Sequence, residues 1–164
     1  MTKRTSTKLR VRTATLADAE RIAAFQQAMA LETEGKVLDA TTLRRGVAGV
    51  FEAPEKGFYL VAAADTAEGG TAPVVASLLI TYEWSDWRNA TFWWIQSVYV
   101  DAGWRRKGVY RAMYDHVLSL ARARGEVCGI RLYVERTNTV AQKTYDNLGM
   151  HKSHYDLYEV DFTS

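Results

Sequence analysis

Between residues 91 and 134 the hydrophobic period changes from two to 3.6 and back to two, and no other feature restricts the fold as much. Thr91 to Val100 reads as a strand, Val109, Ala112, Met113, His116, Val117 and Leu120 form one apolar helical stripe closed by Gly125, and Ile130 to Val134 is β-branched and aromatic. A strand, a helix and a strand joined in this way require a parallel pair with a right-handed crossover. The rest of the chain must be built around that unit.

Upstream, Leu9 to Arg12 has a short strand pattern. Thr15 followed by Asp18 reads as a near capping box opening a helix with Ile22, Phe25 and Met29 on one face, ended by Gly35. A second helix carries Leu43, Val47, Val50 and Phe51. Strands are expected at Gly57 to Ala63 and Val74 to Tyr82, separated by a loop at Glu68-Gly69-Gly70, with a polar turn from Ser85 to Asn89 before the next strand. Downstream, Asn138 caps a short helix carrying Ala141, Tyr145 and Leu148 before Gly149, and Tyr155 to Phe162 has strand composition with a parity shift between Leu157 and Tyr158. The expected class is α/β with a mixed sheet.

Length and composition narrow the functional classes. A chain of 164 residues with 48% hydrophobic and 24% charged residues can bury one core, and residues 9–164 read as a single domain behind a flexible basic arm at 1–8. Its formal net charge of +2 is too small for the long-range field of a nucleic-acid binder. The longest apolar runs are strand-sized, which disfavours membrane insertion. Cys128 is the only cysteine, so no intrachain disulfide can form, and a reducing cytoplasm is the expected compartment. His116, His151 and His154 lack clustered partners, so no metal is expected.

Chemistry concentrates where the strand ending at Val100 meets the helix starting at Val109. Arg105-Arg106-Lys107-Gly108 loads a helix N-terminus with cations, although positive charge opposes the helix dipole there. Free N–H groups and a close backbone approach at Gly108 suit a diphosphate, the alternative being a solvated basic turn. Neither G-x-x-x-x-G-K-[ST] nor G-x-G-x-x-G is present, so ATP and NAD are disfavoured.

The stretch from Val98 to Tyr110 resembles the acetyl-CoA-binding motif [QR]-x-x-G-x-[GA] of the GNAT superfamily of N-acetyltransferases. Arg105 and Gly108 match, whereas Tyr110 stands where the family normally has Gly or Ala. Asn138-Thr139-Val140-Ala141, Tyr145 and Gly149-Met150 resemble the family's N-x-x-A-x-x-x-Y-x-x-x-G-[FM] segment, and the resemblance extends from Leu9 to Phe162. It implies a mostly antiparallel sheet with one parallel strand-helix-strand unit and helices on both faces.

The resemblance also implies acetyl-CoA as co-substrate, its pyrophosphate on the N–H groups of Arg106, Lys107, Gly108, Val109 and Tyr110, and pantetheine beside Val98 and Val100. It puts the Val98 N–H at the thioester carbonyl, where negative charge develops, gives Asn138 to pantetheine, and makes Tyr145 the acid for the departing thiolate. By residue type alone Asn138 is equally a helix cap and Tyr145 a core tyrosine. Residues 93–97 carry no carboxylate, so no general base is identified. Gln96 or Ser97 could only orient a water, and Glu83, Asp86, Glu32 and Glu34 are the remaining candidates, the alternative for the first two being solvation of a hairpin turn.

Glu32 and Glu34, near the end of the first helix, suggest a cationic acceptor, the alternative being plain surface charge. Trp84, Trp87, Phe92, Trp93 and Trp94 could bind an aromatic acceptor, with alternation sending some of them to the core. The activity expected is direct acetyl transfer to a primary amine of a small molecule or protein, without an acetyl-cysteine. The competing reading is a catalytically silent acyl-CoA-binding module of the same fold. Neither nucleic acid nor membrane is an expected partner, and a homodimer is left open.

Overall fold

The computed structural model describes residues 8–65 and 72–163. All of the expected basic arm except Lys8, and the loop at Glu68-Gly69-Gly70, lie outside them. The chain divides into two compact units, Met1–Tyr133 and Val134–Ser164.

The first unit is a five-stranded sheet in the order β1-β2-β3-β4-β5. Its strands are β1 (Leu9–Thr13), β2 (Phe58–Ala64), β3 (Val74–Ser85), β4 (Ala90–Val100) and β5 (Val127–Leu132). Three antiparallel pairings lead to one parallel pairing of β4 with β5, as the strand-helix-strand unit requires. Its helices are α1 (Ala19–Glu34), α2 (Ala40–Glu52) and α3 (Val109–Ala123). β5 starts three residues earlier than its composition suggested and contains Cys128. Pairing with β4 begins at Thr91 opposite Val127, so backbone register extends the strand beyond its β-branched stretch.

Alternation along β2 separates two layers. Tyr59 and Val61 pack with Ile22 and Ala23 of α1 and Val47 of α2. Leu60 and Ala62 point to the opposite face and are fully buried. That opposite face also holds Phe58 and Trp93, whose rings lie under the Arg124 guanidinium at the end of α3. Gly57 feeds the chain into β2 at φ +147, and a Cβ there would lie 2.0 Å from the Ile80 carbonyl oxygen. Only glycine fits such a conformation and such an approach.

The turn before α1 follows from its sequence. Asp18 accepts from the Thr15 backbone N–H at 2.8 Å and takes a two-pronged bond from Arg12 of β1 at 2.7 and 2.9 Å. The Arg12 hydrogen bonds hold the nearly buried carboxyl below its ordinary range. The opening of α1 is thereby fastened to the edge strand.

The second unit contains α4 (Thr139–Asn147), capped by Asn138, whose side chain accepts from the Ala141 N–H at 3.0 Å. The strand expected at Tyr155 to Phe162 is not formed. That stretch is irregular, and Tyr155, Leu157, Tyr158, Val160 and Phe162 are exposed. Its parity shift leaves no single apolar face, and the Tyr155 N–H donates to the Ser153 hydroxyl and the Thr163 N–H to the Asp161 carboxylate in place of ladder bonds.

Candidate active site

β4 changes character partway along. Its pairing with β5 ends at Ile95 opposite Leu132, while pairing with β3 continues to Val100. Between Gln96 and Tyr99 two β4 residues, Ser97 and Val98, face the single residue Leu78, and Ser97 adopts φ 52. This is a β-bulge, which bends the strand and re-aims its backbone groups. Gln26, buried on α1, donates a long bond of 3.4 Å to the Ser97 carbonyl. The last residues of β4 thus present main-chain polar groups on an edge that β5 does not pair.

That edge leads into the basic loop. Asp101 accepts from the Gly103 N–H at 3.1 Å, starting a single 3-10 turn at Ala102–Trp104. Arg106 and Gly108 then adopt left-handed φ values of 61 and 78. Left-handed residues alternating with right-handed ones turn successive N–H groups into an anion-binding concavity. No side chain caps α3, and its first ladder bond runs from the Ala112 N–H to the Gly108 carbonyl. The N–H groups of an α-helix's first turn, here that of Val109 among them, precede its internal ladder. A Cβ built at Gly108 meets open space, so the loop is accessible where a diphosphate would approach. Lys107 lies over the Trp104 ring at 5.2 Å. Diphosphate chemistry fits a loop of this kind without any side-chain ligand.

Arg105 points elsewhere. It donates from Nε to the Val100 carbonyl at 2.9 Å and from Nη2 to Glu32 Oε2 at 2.7 Å. Glu32 Oε1 accepts from the Tyr99 hydroxyl at 2.7 Å. The Tyr99 hydrogen bond, then that of Arg105, lowers the Glu32 pKa, and the same bond raises that of the Tyr99 hydroxyl. Glu34 instead pairs with Lys36 at 2.7 Å. The two acidic residues read together in the sequence therefore have separate partners.

Glu83 stands opposite Phe92 in the β3–β4 register. Six residues of strand separate Phe92 from Val98, a span of about 20 Å. Glu83 is ion-paired to Arg131 of β5 and accepts from Trp94 Nε1 at 3.4 Å, while Arg131 also lies 3.6 Å over the Phe92 ring. This places Glu83 in a cross-strand network at the hairpin end of the sheet, away from Val98. Gln96 donates to the Thr81 hydroxyl at 2.6 Å. Of the aromatic candidates, Phe92 and Trp93 are buried, Trp94 is half-buried beside Tyr133, and Trp84 and Trp87 are exposed.

In the second unit Asn138 uses its side-chain oxygen as the cap of α4. Tyr145 is half-buried on that helix, and desolvation raises the pKa of its hydroxyl, which keeps it protonated. The sequence reading missed Gln26 and Tyr99. Asp101 and Gly103 carried a local turn signal, whereas nothing near Tyr99 in sequence announces its bond to Glu32.

A model of the acetyltransferase (GNAT) family matches residues 20–150. Among solved structures, a possible acetyltransferase from Clostridium difficile 630 is 39% identical, with a TM-score of 0.85 over 95% of this chain and 99% of that one. A predicted acetyltransferase from Clostridium acetobutylicum, solved with acetyl-CoA, is 15% identical with a TM-score of 0.70 over 93% of this chain and 96% of that one. An aminoglycoside N-acetyltransferase in complex with CoA is 12% identical with a TM-score of 0.74 over 99% of each chain. The last two are similar in fold alone. No curated protein matches the chain significantly.

Proposed function

Because the chain belongs to the GNAT acetyltransferase family, we propose that it transfers the acetyl group of acetyl-CoA directly to a primary amine of a small molecule or a protein. The observation that carries this reading is the continuity of the bulged, half-unpaired end of β4 with the uncapped, left-handed loop at the mouth of α3. Acetyl-CoA supplies an activated thioester. The N–H groups from Arg106 to Tyr110 hold its diphosphate, the β4 edge at Val98 and Val100 runs beside pantetheine, and the motif position of Asn138 assigns that residue to pantetheine as well.

The amine nitrogen bonds to the thioester carbon as the C–S bond breaks, and the sulfur leaves as a thiolate. The Val98 N–H stabilises the oxygen where negative charge develops. Tyr145 gives its hydroxyl proton to the thiolate, a role supported by its motif position and by the burial that keeps it protonated. The proton lost by the amine passes to water oriented by Gln96, because residues 93–97 hold no carboxylate and Glu83 is committed to Arg131. The single cysteine suits a reducing, cytoplasmic setting, and among the described residues no helix is long and apolar enough to cross a membrane.

Tyr110, a bulky residue where the family has Gly or Ala, favours the second reading of a catalytically silent acyl-CoA-binding module. Thiol release from acetyl-CoA across a panel of primary amines separates the two. Amine-dependent CoA release that survives Cys128→Ala supports direct transfer. Binding of acetyl-CoA without release for any amine supports the silent module, and loss of all turnover in Cys128→Ala overturns direct transfer.

A further inference from the structure

We infer that Glu32 is a positioning residue for the cofactor loop, acting through Arg105; this rests on the acetyl-CoA reading above. Glu32 sits in the last turn of α1, 73 residues from Arg105 in sequence, and its two carboxylate oxygens are divided between Arg105 and the Tyr99 hydroxyl, each at 2.7 Å. Arg105 ties the same carboxylate to the Val100 carbonyl at 2.9 Å and lies 5.3 Å over the Tyr99 ring. One carboxylate therefore gathers the last two residues of β4 and the residue that enters the loop. α1 makes a second contact within that segment, because Arg21 donates to the Asp101 carboxylate and to the Val74 carbonyl of β3, each at 3.1 Å.

With its guanidinium committed on this side, Arg105 serves the loop by fixing where Arg106 begins its left-handed turn. The charges left for phosphate are Arg106 and Lys107. Glu32 and Arg105 are each about half exposed, so their pairing contributes little to overall stability. Its effect is on the placement of the N–H groups that follow, and small misplacements of binding groups are costly.

The sign of a substitution effect separates this role from simple electrostatics. If Glu32 acts only as a negative charge near the diphosphate, its removal tightens CoA binding. If it positions the loop, its removal weakens CoA binding although a repulsive charge has gone. Calorimetric titration of CoA into the full chain is expected to show binding about tenfold weaker in Glu32→Ala. Glu32→Gln, which keeps an acceptor for Tyr99, falls between Glu32→Ala and the parent. The Glu32→Ala/Arg105→Ala pair is no weaker than Arg105→Ala within a factor of about two, because both act through one interaction. Melting temperatures stay near that of the parent.

Tighter or unchanged CoA binding in Glu32→Ala overturns the inference. Multiplying effects in the double variant, or a weakening that follows a large fall in melting temperature, overturns it equally. A parent that binds no CoA removes the acetyl-CoA reading itself, and the first titration of the series shows this before any variant is compared.

Discussion

A carboxylate at position 108 tests the diphosphate cradle most directly. Gly108 has φ 78 and open space where a Cβ would sit. Gly108→Asp and Gly108→Asn are therefore accommodated without a clash and share a backbone strain of about 1 kcal/mol. For a chain of this size that strain lowers the melting temperature by about 2–4 °C in both variants.

The two side chains have nearly the same shape, so their difference isolates charge. A carboxylate about 5 Å from one phosphate charge costs about 0.8 kcal/mol in water and about 3 kcal/mol at the effective dielectric of a protein surface. CoA should then bind about 5- to 150-fold more weakly to Gly108→Asp than to Gly108→Asn at low salt. The Debye length contracts from about 10 Å at 0.1 M salt to about 3 Å at 1 M, so most of that gap should close at high salt. Calorimetry of both variants at two ionic strengths measures it. Parental affinity in Gly108→Asp, equal weakening in the two variants, or a gap that persists in 1 M salt refutes the argument.

Tyr145→Phe keeps the ring and removes the proton donor; kcat should fall at least about tenfold with CoA affinity little changed, and a variant with parental kcat and a lower melting temperature reassigns Tyr145 to packing. Asp18 has a folded pKa below its ordinary 3.8, chiefly through the Arg12 hydrogen bonds. The stability it contributes is therefore complete above that ordinary value and is lost as pH falls through the lower folded one. Asp18→Ala should cost about 2 kcal/mol near neutral pH, read from urea unfolding, and its stability deficit should shrink below about pH 4. Gly57→Ala meets both the Ile80 carbonyl and a left-handed φ; it should cost at least about 3 kcal/mol, and a melting curve like that of the parent would contradict the tight approach of β2 to β3.

Where the signal was local, the sequence carried the answer. The change of period between 91 and 134 determined the parallel pair, because the intervening helix carries the chain back to the end of the sheet where the first strand began. Thr15 with Asp18, Asn138 with Ala141, and the basic residues before Gly108 are contacts or clusters within a few positions, so backbone geometry follows from neighbouring residue types. The irregular stretch from Tyr155 to Phe162 shows the limit of composition, since strand-forming residues make a strand only where a partner supplies the ladder.

Tertiary structure decided the rest. The bulge at Ser97 and Val98 exists because β3 and β4 come into register with unequal numbers of residues, a property of two strands together. Glu32 met Arg105 and Tyr99, and Glu83 met Arg131, across separations of 73, 67 and 48 residues. Periodicity constrains which face a side chain occupies but not which distant charge will lie opposite it. Two acids near the end of one helix looked equivalent in sequence; Glu34 pairs locally with Lys36, two residues on, whereas only the packing of α1 against the end of β4 gave Glu32 to the loop.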